Sequence, residues 1–291
     1  MGERITLHGT SELESNCPKS WRKKQLRGAA FYILCHLVGT LIFSTSCVAP
    51  TENGASLAGA RFDHVVVFAE DESLRDWLRV HLTPAEALET RHEGQGTRGR
   101  YFLFLNSFLE VLTLADAAEA RSNEKAFGSP YVARWQDKNA APVAFGLSLD
   151  TNSFASPPFG HVRYQKDEEG GGYVMANGNV NLLAPLVYAT GPDRAYPRRA
   201  SMEELNTIED AGRREEVRQY LTHSCGAKTL TQVIWRSPVS GSQGPNAELM
   251  RKFPEVTFER GLEYELVLEF DNATSGREVR YQGRPSVVLR F

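Results

Sequence analysis

Phe62-Asp63-His64-Val65-Val66-Val67-Phe68-Ala69 is the stretch on which the reading of this chain turns. An unbroken run of β-branched and aromatic residues specifies a buried strand. Asp71 to His81 follows with Leu74, Trp77, Leu78 and His81 at helical spacing. After a Gly-rich turn at Gly94 to Gly99, Tyr101 to Leu105 and Phe108 to Leu114 read as two strands joined at Asn106-Ser107, and Pro142 to Asp150 supplies a fourth. The order is βαβββ. It recurs near the C-terminus, where Leu230 to Trp235, Asn246 to Lys252, Val256 to Glu259, Leu262 to Phe270 and Ser286 to Phe291 read as strand, helix and three strands. Two such units argue for paired modules, because a solenoid needs three or more short repeats.

Between the units, Thr151 to Gly226 is rich in Pro, Gly and charge, with strand-like pieces at His161 to Gln165, Gly172 to Ala176 and Leu182 to Tyr188. Met202 to Thr222 sets acids against bases at helical spacing and reads as a largely solvated helix. The expected organisation is therefore a first module over 61–150, an insertion or linker over 151–226 and a second module over 227–291.

The 291 residues are 41% hydrophobic, an ordinary globular composition that can bury a core. Six of the 33 basic and three of the 36 acidic residues fall in the first 46, which leaves 27 against 33 and a net charge of −6 on the rest. Such a body carries no basic footprint for nucleic acid. The cluster Trp21-Arg22-Lys23-Lys24-Gln25-Leu26-Arg27 precedes an apolar run from Ala29 to Phe43 and then Ser44-Thr45-Ser46-Cys47, the n-region, h-region and small-residue boundary of an export signal. Residues 1–46 form this leader, and 47–60, small and Gly/Ala/Ser-rich, have the composition of a flexible tether. With Cys17 and Cys35 in the leader and Cys47 at its end, Cys225 is the one cysteine of the body, so no internal disulfide staples it.

The boundary at Cys47 resembles a bacterial lipoprotein box, although Ser44 stands where an apolar residue is usual. The resemblance implies lipidation of Cys47 and a membrane-anchored lipoprotein of the cell envelope; the alternative is an uncleaved signal anchor, since Ala29 to Cys47 is close to the ~20 residues needed to span a bilayer. Val48 in place of aspartate favours the outer membrane of a two-membrane cell.

In the body, Phe62 to Val67, then Gly96-Thr97-Arg98-Gly99-Arg100 leading to Phe108-Leu109-Glu110-Val111-Leu112, and then His223-Ser224-Cys225-Gly226-Ala227 before the second module, resemble the glyoxalase-like proteins of the vicinal oxygen chelate superfamily. Ser224-Cys225 replaces the family's Pro-Asn there. The resemblance implies an α+β fold of two βαβββ modules forming curled mixed sheets around a shared cleft. It also implies a divalent metal (Zn, Ni, Co, Mn or Fe) held by His64 and Glu110 from the first module and Gln232 and Glu265 from the second. An imidazole, an amide oxygen and two carboxylates suit an octahedral ion with open positions. It would act as a Lewis acid while Glu265 or Glu110 moved a proton.

Each of these residues also has a plainer reading. His64 beside Asp63 can be a structural histidine; Glu110 shares its alternation with Phe108 and Leu112 and needs a partner if that face is buried. Glu265 alternates with Glu263 and Glu269 as a polar face would, and Gln232 alternates with Leu230 and Ile234. His161 reads as a loop residue or a substrate contact, and His223 near Cys225 invites a thiol–imidazole pair. Gly170 to Gly172 reads as a hairpin turn, without the Lys-Ser/Thr of a phosphate loop, and no Gly-x-Ser-x-Gly elbow is present. Two functions follow: a metal-dependent lyase or isomerase of glyoxalase type acting on a small oxygen-bearing substrate, or a metal-free small-molecule binding protein of the same fold. An extradiol dioxygenase would need a second histidine where Gln232 stands.

Overall fold

A computed structural model describes residues 57–127, 131–165, 172–238 and 243–291. The leader, Cys47 and most of the tether lie outside the described residues, as does most of the Gly170 to Gly172 turn. Among the described residues, no helix is long and apolar enough to cross a membrane.

The fold class is the one read from the sequence, α+β with two mixed sheets. The first sheet has eight strands: β1 (Ala60–Ala69), β2 (Thr90–His92), β3 (Thr97–Leu103), β4 (Phe108–Leu114), β5 (Val143–Leu149), β6 (His161–Gln165), β7 (Gly172–Ala176) and β8 (Leu186–Thr190). Their order is β2-β3-β4-β1-β5-β8-β7-β6. The second has β9 (Leu230–Ser237), β10 (Val256–Arg260), β11 (Glu265–Phe270), β12 (Glu278–Tyr281) and β13 (Ser286–Arg290) in the order β10-β9-β11-β13-β12.

The repeat lies deeper than the strand count. The run β4-β1-β5-β8-β7 and the whole second sheet share one pattern: parallel, antiparallel, parallel, antiparallel. By pairing, β1, β4, β5, β7 and β8 thus correspond to β9, β10, β11, β12 and β13. The stretch 151–226, expected as an insertion, therefore supplies β7 and β8 to the first repeat. Short Gly-flanked strands such as these gain their stability from pairing, β8 with β5 and β7 with β8, and the long-range contact with β5 is one that local composition does not carry. The hairpin of β2 and β3 at one edge and β6 at the other are the additions peculiar to the first repeat.

The two sheets pack through their apolar faces into one core, with Val65, Val67, Leu109, Phe145 and Leu147 against Val233, Trp235, Leu266, Leu268 and Leu289. Phe104 meets Phe270 at 4.7 Å between ring centroids. Helix α1 (Ser73–Arg79) adds Leu74 and Leu78, one turn apart, to this core. Asn106, at the β3–β4 turn, joins the repeats: its amide nitrogen donates to the Leu230 carbonyl at 2.8 Å and its oxygen accepts from the Leu230 N–H at 2.9 Å.

On the outer face of the first sheet, Val66, Phe68, Ala144 and Leu186 pack with Trp135 of α3 (Ala133–Gln136), which follows α2 (Ala117–Phe127). Two further short helices are α4 (Thr151–Ala155) and α6 (Pro245–Met250). The segment expected as one solvated helix over Met202 to Thr222 divides into a 3-10 turn and α5 (Ala211–Tyr220). The division falls at Asp210, whose carboxylate caps α5 by accepting from the Arg213 N–H at 2.7 Å. Leu205 and Val217 are buried in a satellite core with Tyr101, Leu103 and Tyr196, so this helix keeps one apolar face.

His223 secures that satellite core. Its Nδ1 accepts from the Thr83 N–H at 3.0 Å, which leaves Nε2–H to donate to the Leu103 carbonyl at 2.8 Å. Both ring nitrogens are used, and burial pushes its pKa down to about 4, while burial raises the Cys225 thiol. This is a structural histidine, not half of a thiol–imidazole pair. Its folded-state pKa lies below the ordinary histidine value of about 6.5, so the unfolded chain binds the extra proton. The stability this neutral ring contributes is whole above pH 6.5 and is lost as pH falls toward 4, by up to roughly 3 kcal/mol. Chemical denaturation at several pH values will show the gap between wild type and His223→Gln narrowing over that window; a constant gap would contradict the assignment.

Candidate functional site

The site begins with one extra residue in β1. Phe62 pairs with Leu147 and His64 with Gly146, so Asp63 is a bulge residue without a cross-strand partner on β5. β9 carries the same irregularity: Leu230 pairs with Phe270 and Gln232 with Glu269, which skips Thr231. His64 and Gln232 are thus equivalent positions. A bulge bends its strand and re-aims the next side chain. Here it puts His64 on the outer face of the first sheet, with Val65 and Val67 in the core.

His64 is buried and held on three sides. Asp63 Oδ2 lies 2.8 Å from Nδ1, and Asp63 Oδ1 accepts the Tyr196 N–H at 2.9 Å. A carboxylate that accepts from Nδ1–H leaves Nε2 to accept from the Tyr188 hydroxyl, its partner on β8. The ring stacks on Phe108 at 4.0 Å. It also lies across Gly146, where an added Cβ would come within 2.2 Å of its Cε1. Glycine in this central strand is therefore a condition of the His64 position.

Glu110 stands on β4, opposite Tyr101 of β3 and Val66 of β1. It is 7% exposed. Its Oε1 has no hydrogen-bond partner among the described residues, and His92 Nε2 lies 3.8 Å away, beyond hydrogen-bonding range. His92 is itself engaged with Thr97 Oγ1 at 2.9 Å and the Tyr101 hydroxyl at 3.0 Å. Gly99 makes room, since a Cβ there would fall 2.5 Å from both Glu110 Oε1 and the Tyr101 hydroxyl. Burial raises the Glu110 pKa to about 8, against a smaller opposing hydrogen bond from Tyr101. Burial, and then the nearby Glu110, push the Tyr101 and Tyr188 hydroxyls well above the usual tyrosine range. The arrangement offers a carboxyl that exchanges its proton near neutral pH, an oriented imidazole and protonated phenols.

The second sheet places its expected residues elsewhere. Gln232 donates to Thr257 Oγ1 at 2.7 Å on the outer face of that sheet. By register Thr257, paired with Ile234 as Glu110 is with Val66, is the counterpart of Glu110. Glu265 is not, because β11 corresponds to β5. Arg236 holds Glu265 at 2.6 Å and Arg280 pairs with its other oxygen. Burial would raise this carboxyl, but the two guanidiniums outweigh it and hold it below the ordinary glutamate range.

The apolar faces of both sheets lie between the two sets, so His64 and Glu110 share one outer face and Gln232 and Glu265 the other. The expected four-residue metal centre does not form. Among the described residues, no group of three or more His, Cys, Asp or Glu side chains is arranged to hold a metal ion. Both nitrogens of His64 are already engaged, so the donor set does not fit the implied divalent metal. His161 sits on the edge strand β6, bonded to the Phe159 carbonyl and three strands from β5. Sequence reasoning did not single out Asp63, His92, Tyr101 or Tyr188 as site residues; Gly99 and Gly146, glycines inside strands, were the available signals of close approach.

No known protein family's sequence profile matches the chain, and no curated protein matches it. Solved structures do. One is a hypothetical protein from Staphylococcus aureus, 10% identical, with a TM-score of 0.48, covering 79% of this chain and 98% of that one. Another is a xylose isomerase-like TIM barrel/4-hydroxyphenylpyruvate dioxygenase fusion protein, also 10% identical, with a TM-score of 0.33; the match covers 77% of this chain and 38% of the fusion protein.

Glu110 sets a pH dependence of opposite sign to that of His223. Its folded-state pKa of about 8 exceeds the ordinary glutamate value, so the folded protein binds the extra proton. The neutral carboxyl's contribution is whole below about pH 4.3 and is lost as pH rises toward 8, at about 1.4 kcal/mol per pH unit. Glu110→Gln will therefore gain stability relative to wild type between pH 5 and 8 in denaturant titrations. A pH-independent difference would contradict the buried-acid assignment.

Proposed function

We propose that this chain is a metal-free small-molecule binding protein of vicinal oxygen chelate type, exported and tethered to the bacterial cell envelope through lipid on Cys47. The observation that supports it best is the separation of the four expected ligands: His64 and Glu110 meet on one sheet, while Gln232 and Glu265 are engaged on the other. A Lewis-acid lyase needs its protein ligands gathered at one centre, and three are usual; a binding site needs a few convergent polar groups on an apolar and aromatic surround. Glu110, His64, Tyr101 and Tyr188, backed by Phe108, are such a set.

A thermal-shift screen of small polar and aromatic metabolites tests this reading. A ligand at one hundred times its Kd stabilises the folded state by about 2.7 kcal/mol. The expected shift persists in excess chelator and is lost in Glu110→Gln. Stoichiometric metal in the purified protein, removed together with binding by chelator, would instead return the glyoxalase-type lyase.

The tether has its own test. Incorporation of a clickable fatty acid is expected in wild type and absent in Cys47→Ser. Unlabelled wild type that stays in the membrane fraction would favour the uncleaved signal anchor.

A further inference from the structure

We propose that the ligand of the Glu110 site is an organic cation, a quaternary or protonated amine seated between the Glu110 carboxyl and the surrounding aromatic rings. This inference rests on the binding-protein reading above and names the ligand's chemistry.

Three observations carry it. The first is the acid itself: Glu110 is buried, its Oε1 is without a hydrogen-bond partner among the described residues, no Lys or Arg there pairs with it, and His92 Nε2, 3.8 Å away, is already bonded to the Tyr101 hydroxyl. A buried carboxyl with an unused oxygen destabilises the fold until something pairs with it. The second is the company it keeps. Tyr101 approaches Phe108 at 6.0 Å and Tyr173 approaches Tyr188 at 5.7 Å, so π systems stand on both sides of the carboxyl along the sheet. Aromatic faces and edges around one acid are the surroundings that favour a desolvated ammonium over an anion or a neutral polyol. The third is the second repeat, where the equivalent positions are Gln232 and Thr257, bonded to each other at 2.7 Å. The fold at this point is satisfied by a neutral pair, so the acid of the first repeat is not required by the architecture.

Charge bookkeeping gives the signature. The titratable groups next to the Glu110 carboxyl are Tyr101 from β3, His92 from β2 and Tyr188 from β8, and against Tyr188 stand His64 with Asp63 from β1 and Tyr173 from β7. The Tyr101 and Tyr188 phenols stay protonated, and Asp63 is occupied by His64 and the Tyr196 N–H. A bound cation stabilises the ionised carboxylate, so Glu110 gives up its proton when the ligand arrives. With its pKa at about 8, roughly nine-tenths of the sites carry that proton at pH 7 and few do at pH 9.

The probe is choline, with 3,3-dimethyl-1-butanol as its neutral carbon isostere, titrated calorimetrically into the full-length protein in detergent micelles. Measurements in two buffers of different ionisation enthalpy count the protons. The expected result is choline binding at least tenfold tighter than the isostere, with release of about 0.9 proton at pH 7 and little at pH 9. Glu110→Gln, which keeps the side chain's shape, should abolish both the preference and the release. Equal binding of the neutral isostere without proton release would overturn the cation and leave the binding-protein reading standing. Failure of choline to bind, with other metabolites stabilising the protein in the thermal screen, would overturn it likewise. Failure of every compound in both experiments would sink the binding-protein reading as well.

Discussion

The pairing of Asp63 with His64 depends on one residue too many in a strand, and the rest of the site depends on that pairing. Without the bulge, strict alternation would put Phe62 and His64 on the same face, and either a phenyl ring would leave the core or an imidazole would enter it. With it, Phe62 stays in the core, His64 turns outward, and Asp63 is left free of the ladder to accept from His64 Nδ1 and the Tyr196 N–H. Tyr188 then fixes the other ring nitrogen from two strands away, and Gly146 between them leaves the ring its space. A chain that binds the histidine at both nitrogens has set its tautomer and spent its capacity as a metal ligand.

The two repeats solve the same geometric problem with different chemistry. Thr231, at the bulge of β9, donates its hydroxyl to the Glu269 carbonyl at 3.0 Å, and Gln232 turns to Thr257. Neither side chain of that pair is charged. The first repeat replaces it with an imidazole, a buried carboxyl and phenols, and adds beside β4 the strands β2 and β3, whose His92 and Tyr101 stand next to Glu110. Glu110 is the member that secondary structure does not need. Its neighbours restrain it without neutralising it, so burial keeps it protonated to about pH 8, where a neutral acid and its anion are both within reach.

Much of the architecture was legible because short runs rich in β-branched, aliphatic and aromatic residues mark strands: β1, β5, β9, β11 and β13 all sit on such runs. The equivalence of His64 and Gln232 was legible too, since it needs only the first strand of each unit, and register agrees with it. The counterpart of Glu110 was not. Counting strands along the sequence makes β4 and β11 the third of their units, but the β2–β3 hairpin precedes β4 and shifts the count, so the partner position is Thr257 and not Glu265. Tyr188 was hidden for a different reason. It reaches His64 across 124 residues through a strand whose place in the sheet is decided by pairing with β5, and no local pattern records such a contact.

The central claim is that the Glu110 carboxyl is a buried, metal-free acid that titrates near neutrality. Carbon-13 NMR of glutamate-labelled protein, with the Glu110 resonance assigned by its loss in Glu110→Gln, measures this directly. The account predicts a titration midpoint near pH 8 that excess chelator does not move. A midpoint in the ordinary glutamate range, or one that chelator shifts, would contradict it.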